Sequence, residues 1–400
     1  MNTINNDSNS PMEVLKSSKS GEQRLRLHYL DGLRGLASLY VVMYHLSGYM
    51  GQVPIFLQLI GKTLDYGDFA VAIFIVLSGY VLMLPVTRSQ SVYLSGGLWN
   101  YIQRRVRRIL PPYYAALVFT LLVAVIILGL IKFFNFQWHQ LPEGEDGFNP
   151  FFSPIDVITH LLLIHNFSSD TIESIDAPMW SVAIEWQIYF IFPIFLLPIW
   201  RRFGLFYTVI STFLISLLAF YLSNRLMEPV HPWFLGLFAL GMAAADIGFS
   251  QKPKLVAMRE SLPWSVFIII FFLITLITNQ QIEKWIYDSI CGLTAACVLI
   301  HCTQLVVEGK KSLILRLFET RWAIALGAFS YSLYLTHAVI ITVVEHLLLN
   351  LQMAPVQFIL VLYMVALPLS LIIAYLFYLI FERPFMSDFL KKRKVKDAVN

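Results

Sequence analysis

Charge is what this sequence has least of. Only 14% of its 400 residues are Asp, Glu, Lys or Arg, while 58% are hydrophobic, and an ordinary soluble domain is about one quarter charged. That shortage excludes a water-soluble globule, which would have too little polar surface to cover such a core. The net charge of +4, scattered over short segments, is too small to hold a polyanion, so no nucleic-acid partner is expected. Cysteine is also scarce. Cys291, Cys297 and Cys302 all fall in one apolar segment, which excludes a disulfide framework and a redox pair. The spacing of Cys297, His301 and Cys302 fits a packed apolar helix better than a metal site, so neither a metal nor a bound cofactor is expected. Residues 1–26 are polar and lack the short apolar core of a secretory signal; they read as a disordered cytoplasmic tail. No internal repeat is evident, which weighs against a transporter built from duplicated halves.

What is abundant is apolar sequence in runs of about 20 residues, each long enough to cross a hydrocarbon layer of roughly 30 Å. The pattern predicts an all-α polytopic membrane protein of about ten transmembrane helices. They lie near residues 28–50, 66–87, 113–133, 180–200, 205–223, 231–250, 263–279, 285–307, 322–348 and 357–382. With the N-terminus inside, the inner segments collect 24 of the 29 Lys and Arg residues. Only Lys62, Lys132, Arg225 and Lys284 fall outside, and Arg34 sits within the first span. That asymmetry predicts both termini in the cytoplasm, with residues 27–385 as the membrane domain and 386–400 as a basic cytoplasmic tail. The longest outer segment, 134–179, carries Glu143, Glu145, Asp146, Asp156, Asp170, Glu173 and Asp176 but no Lys or Arg, a natural face for a polar substrate. Within it Ile155 to Phe167 is apolar but too short to span, which predicts an interfacial or re-entrant helix.

The first span reads Tyr29-Leu-Asp31-Gly-Leu-Arg34-Gly-Leu-Ala-Ser38, continuing to Tyr44-His45. Eleven residues make three turns plus about 20°, so Arg34 and His45 share a face, with Asp31 and Ser38 close to the same stripe. Polar groups at such depth line a cavity rather than face lipid. The two are roughly 16 Å apart along the axis, Arg34 toward the cytoplasm and His45 in the outer half. An imidazole there can accept a proton from a hydroxyl; a histidine that only bonds a neighbouring helix fits the stripe equally well.

The pattern from Tyr29 through Arg34 to His45 resembles the first helix of the acyltransferase 3 family, membrane enzymes that O-acylate sugars and other hydroxylated acceptors. Further stretches are similar in order, so the resemblance covers roughly residues 27–385. They are Phe74-Ile-Val-Leu-Ser78-Gly79-Tyr80, Arg104-Arg105-Val-Arg107-Arg108 before Pro111-Pro112, Trp180-Ser181-Val-Ala-Ile-Glu185-Trp186 and Phe329-Ser330-Tyr331-Ser332-Leu-Tyr334-Leu-Thr-His337. Ser78 and Gly79 suit close helix packing as well.

The arginine run could enforce topology alone. Arg nevertheless presents a planar fork suited to phosphate oxygens, and the resemblance implies that Arg104, Arg105 and Arg108 bind the phosphates of an acyl-CoA donor. Glu185, entering from outside, should lie at the depth of His45, where it could fix the imidazole's tautomer. Ser330, Tyr334 and His337 share a face and could line the acceptor path or simply tie helices together. Glu382-Arg383-Pro384 reads as a local ion pair and helix stop.

The resemblance thus implies an acyltransferase of the bacterial inner membrane. It would move an acyl group, acetyl being the foremost candidate, from cytoplasmic acyl-CoA to a hydroxyl of an envelope saccharide or glycolipid among membrane lipids, with His45, Glu185 and Arg34 catalytic. The alternative is a proton-coupled transporter using the same His, Arg and Glu group.

Overall fold

A computed structural model describes residues 27–48, 54–88, 94, 96–139, 147–279 and 281–386. Both expected tails, apart from Met386, lie outside the described residues, as do Glu143, Glu145 and Asp146. Within them the chain is helical, with one isolated antiparallel bridge between Phe148 and Asp176.

The α-helices are α1 (His28–His45), α2 (Ile55–Lys62), α3 (Gly67–Arg88), α4 (Gly97–Phe134), α5 (Pro154–Leu161), α6 (Met179–Ile191), α7 (Leu197–Phe203), α8 (Leu205–Leu222), α9 (Phe234–Phe249), α10 (Pro253–Ser261), α11 (Trp264–Thr278), α12 (Lys284–Val307), α13 (Leu313–Phe318), α14 (Arg321–Ala328), α15 (Ser330–Leu349) and α16 (Pro355–Phe377). Eight helical stretches among the described residues are long and apolar enough to cross a membrane. A ninth arises if α10 and α11, bent by 68°, count as one span. The expected figure was about ten; the difference is α1, whose Asp31 and Arg34 dilute its apolar character. Large apolar side chains on α4, α8, α11 and α16 face outward, among them Leu122, Ile126, Leu214, Leu218, Ile269, Ile277, Met364 and Ile372. Such a belt suits lipid and would aggregate in water.

Glycines set the closest approaches, where small residues let backbones touch. α3 packs on α9 with Gly79 against the Phe238 carbonyl and Gly241 against that of Val76, so a Cβ at either position would overlap backbone. α1 is wedged between α3, α14 and α15, with Gly32 against Phe318 and Gly35 against Ala323. From the other side Gly327 meets the Asp31 carbonyl. The Arg34 stripe is therefore held inside the bundle rather than against lipid.

α4 differs from expectation in a way that matters. The predicted span began at residue 113, after the arginines; the helix begins at Gly97 and runs through Pro111 and Pro112. The arginines are thus part of a 38-residue helix and not of a loop. Proline lacks an N–H, so the Arg107 and Arg108 carbonyls lose their intrahelical partners.

The segment expected as an interfacial or re-entrant helix does form a helix, shorter than the apolar stretch. α5 spans Pro154–Leu161 and starts on a capping box, with Asp156 accepting from the Ser153 N–H at 2.7 Å and its hydroxyl at 2.8 Å. Tyr113 and Tyr114 donate to the carbonyls of His160 and Leu161 at 2.9 and 2.8 Å. Tyr113 is five positions beyond Arg108, so this loop comes to within roughly 8 Å of the arginine level along α4. His160 and His165, both fully buried, stack at 3.8 Å between centroids. Burial holds both below the usual histidine range, His165 down to about 3.

Candidate functional site

Arg34 on α1, Ser78 on α3, Arg105 and Arg108 on α4, Ser181, Glu185 and Tyr189 on α6, and Ser330, Tyr331 and Tyr334 on α15 line one cavity of about 100 Å³. Each helix turns a polar stripe inward because lipid offers those groups no hydrogen-bond partner. Arg34 pairs with Asp31 one turn earlier at 3.6 Å. Glu185 accepts from both the Ser78 and the Tyr189 hydroxyls, and Tyr189 follows it by one turn on α6. The Arg105 guanidinium lies over the Tyr189 ring at 5.8 Å, and its buried Nε has no protein partner. Arg108 faces the Glu382 carboxylate at 3.7 Å.

The four arginines of α4 divide by helix geometry. Arg105 and Arg108, three positions apart, enter the cavity, whereas Arg104 and Arg107 point outward. Of the three expected donor-binding arginines, the cavity therefore contains two.

Glu185 is not brought to His45. Apart from its neighbour Tyr44, the ring beside His45 is that of His337 on α15, with centroids 5.1 Å apart and planes tilted by 55°. Depth counted from the helix ends misled here, because α6 delivers Glu185 to the level of Ser78 and Arg34. His337 is fully buried, and its Nδ1–H donates to the Tyr334 carbonyl at 2.8 Å. Nδ1 is thereby committed, and the buried Nε2 has no protein partner. Tyr334 continues the line: its ring is 5.8 Å from that of His337, and its hydroxyl bonds Ser181 at 2.7 Å, one turn of α6 from Glu185. The polar groups thus run from His45 through His337, Tyr334 and Ser181 to Glu185 and the arginines.

Ser330 lines the cavity, its hydroxyl donating to the Gly327 carbonyl at 3.1 Å. Ser38 does not; its hydroxyl donates to Gly35 within its own helix at 2.9 Å. Asp31 reaches the site only through Arg34. Glu382, expected in a local ion pair at the helix stop, reaches two other helices. It is buried and accepts from the Ser332 N–H at 3.2 Å and hydroxyl at 2.7 Å while facing Arg108.

Ser78, Ser181, Tyr189 and Glu382 were missed as site residues. Tyr189 was findable one turn beyond Glu185. Ser78 and Ser181 lay inside the quoted motifs, and the intramembrane carboxylate of Glu382 was itself a signal.

The Acyltransferase domain family profile matches residues 27–379. The chain belongs to the acyltransferase 3 family. Among similar proteins, this acyltransferase 3 chain is 25% identical to O-acetyltransferase OatA of Staphylococcus aureus strain MRSA252, over 92% of this chain and 60% of that protein. It is likewise 25% identical to OatA of strain NCTC 8325, over 79% of this chain and 51% of that protein. It therefore spans half to three fifths of the length of the curated relatives it matches. No solved structure matches it.

Proposed function

We propose that this acyltransferase 3 chain moves an acyl group, acetyl for preference, from cytoplasmic acyl-CoA to a hydroxyl of an envelope saccharide or glycolipid. The observation that carries the reading is the convergence of Arg34, Arg105, Arg108 and Glu185 from three helices on one cavity, in a chain similar to named O-acetyltransferases. In this reading α1 also crosses the bilayer, as a tenth span, and both termini lie on the cytoplasmic side of a bacterial inner membrane.

Arg105 and Arg108 would grip the donor's phosphates with forked, charge-assisted bonds, and Arg105 has an Nε–H to spare. The pantetheine arm would rise past Arg34 toward Tyr334 and His337. His45 would take the proton of the acceptor hydroxyl, and the oxygen would attack the thioester carbonyl. The C–S bond then breaks, and the thiolate of CoA recovers the proton from His45. With Glu185 engaged by Ser78 and Tyr189, the group packed against His45 from α15 is the His337 ring.

Purified protein tests the reading directly. Acetyl-CoA raises the midpoint of thermal unfolding, since a ligand of the native state must stabilise it, and His45→Ala abolishes transfer while keeping that shift. No shift at millimolar acetyl-CoA, together with solute flux in vesicles, would establish the transporter instead. Near wild-type transfer by His45→Ala would remove the base.

A further inference from the structure

We infer that a second cavity, on the other side of α1 from the site, holds the hydrocarbon chain of a bilayer lipid. It measures about 480 Å³ and lies between α1, α3, α11, α12 and α13. Leu36, Ala37, Phe272, Ala295, Val298 and Phe318 are typical of its wall.

Water is a poor occupant, because the polar groups on the wall have already spent their hydrogens on protein carbonyls. Tyr40 donates to Thr63 at 2.7 Å, Thr63 to Ile60 at 2.6 Å and Tyr66 to Leu276 at 3.3 Å. Thr275 donates to Phe271 and Thr294 to Ile290, each at 2.9 Å. A buried water needs two to four partners, and apolar cavities otherwise stay dry. Emptiness is equally unfavourable, since destabilisation grows with cavity volume and a folded chain has little stability to spare.

The surroundings supply the occupant. Wall residues Ile268 to Leu276 extend roughly 12 Å along α11, close to one leaflet's share of a layer roughly 30 Å thick. The rim carries Tyr40, Thr63 and Tyr66, the kind of residues that sit at membrane interfaces. Leu33, Leu36, Ala37 and Tyr40 form the cavity-facing stripe of α1, turned about 120° from Arg34 and His45. A lipid chain there props up the helix that carries the reacting groups from its far side.

Native mass spectrometry of the full chain in mild detergent should show one bound bilayer lipid on the wild type. In Ala37→Phe and Ala295→Phe, each of which plugs the cavity from a different helix, occupancy should fall at least tenfold. Decanoic acid added to delipidated wild type should raise the unfolding midpoint by about 3 °C and leave Ala295→Phe unmoved. A wild type with no bound mass, stabilised by either plug, would show a dry void and overturn the assignment. A bound mass matching an isoprenoid-linked saccharide would overturn it too, by making the cavity an acceptor site. Acetyl-CoA stabilisation reports separately on the catalytic reading.

Discussion

α1 separates two cavities of opposite character. On one side about 100 Å³ is lined by three arginines, a glutamate and several hydroxyls; on the other about 480 Å³ is lined almost wholly by carbon. Both sit at membrane depth, yet they differ in what their polar groups have left to offer. The larger cavity's hydroxyls are all satisfied by protein carbonyls. Across α1, Arg105 Nε and His337 Nε2 are buried without a protein partner. An unmet hydrogen-bonding atom beside an opening is unfavourable unless a ligand uses it. Of these two cavities, the arginine-lined one alone has an unspent polar atom on its wall, that of Arg105, which favours chemistry there and hydrocarbon opposite.

Substitutions on the two faces should accordingly separate turnover from stability. After the loss of transfer in His45→Ala, the largest effect is expected at Glu185→Gln, which keeps the shape but removes the charge that receives Ser78 and Tyr189; kcat for acetyl transfer should fall about 10²- to 10⁴-fold with the unfolding midpoint little changed. A midpoint collapse without specific loss of kcat would make Glu185 structural.

Arg108→Ala comes next. It removes a guanidinium from the cavity and takes from the buried Glu382 the charge it faces across the helices. The KM for acetyl-CoA should rise about ten- to a hundredfold, the worth of one or two hydrogen bonds to a charged group. Arg104→Ala, on the outward face, should shift KM far less; equal shifts would dissolve the division of the α4 arginines.

On the apolar side Tyr40→Phe deletes only the bond to the Thr63 carbonyl. Chemical denaturation should show about 1 kcal/mol lost, with kcat unchanged.

The smallest effect on turnover should come from acidification. His160 and His165 are neutral in the fold and titrate at about 6.5 when unfolded. Above that pH both states are neutral and the pair contributes nothing. As pH falls from about 6.5 toward 3 the unfolded loop binds protons that the folded loop excludes, so stability drops. Limited proteolysis within residues 147–178 should accelerate over that window, and a His165→Gln variant should flatten the response.

Much of this was legible in the sequence, for reasons that hold residue by residue. Lipid admits only long apolar helices, so hydropathy alone located α3, α8, α9, α12 and α16. Helical periodicity alone placed Arg34 and His45 on one stripe, because rotation per residue is local geometry. The apolar stretch after Ile155 was too short to span, and it became α5. Which stripes meet is another matter. That Arg105 and Arg108 turn inward while Arg104 does not, that Glu185 meets Ser78 and Tyr189, and that His337 rather than Glu185 stands beside His45 depend on helix tilt, on Pro111 and Pro112 within α4, and on the glycine contacts that set how closely α1 approaches α14 and α3 approaches α9. Periodicity determines a face, but only packing between helices decides its partner.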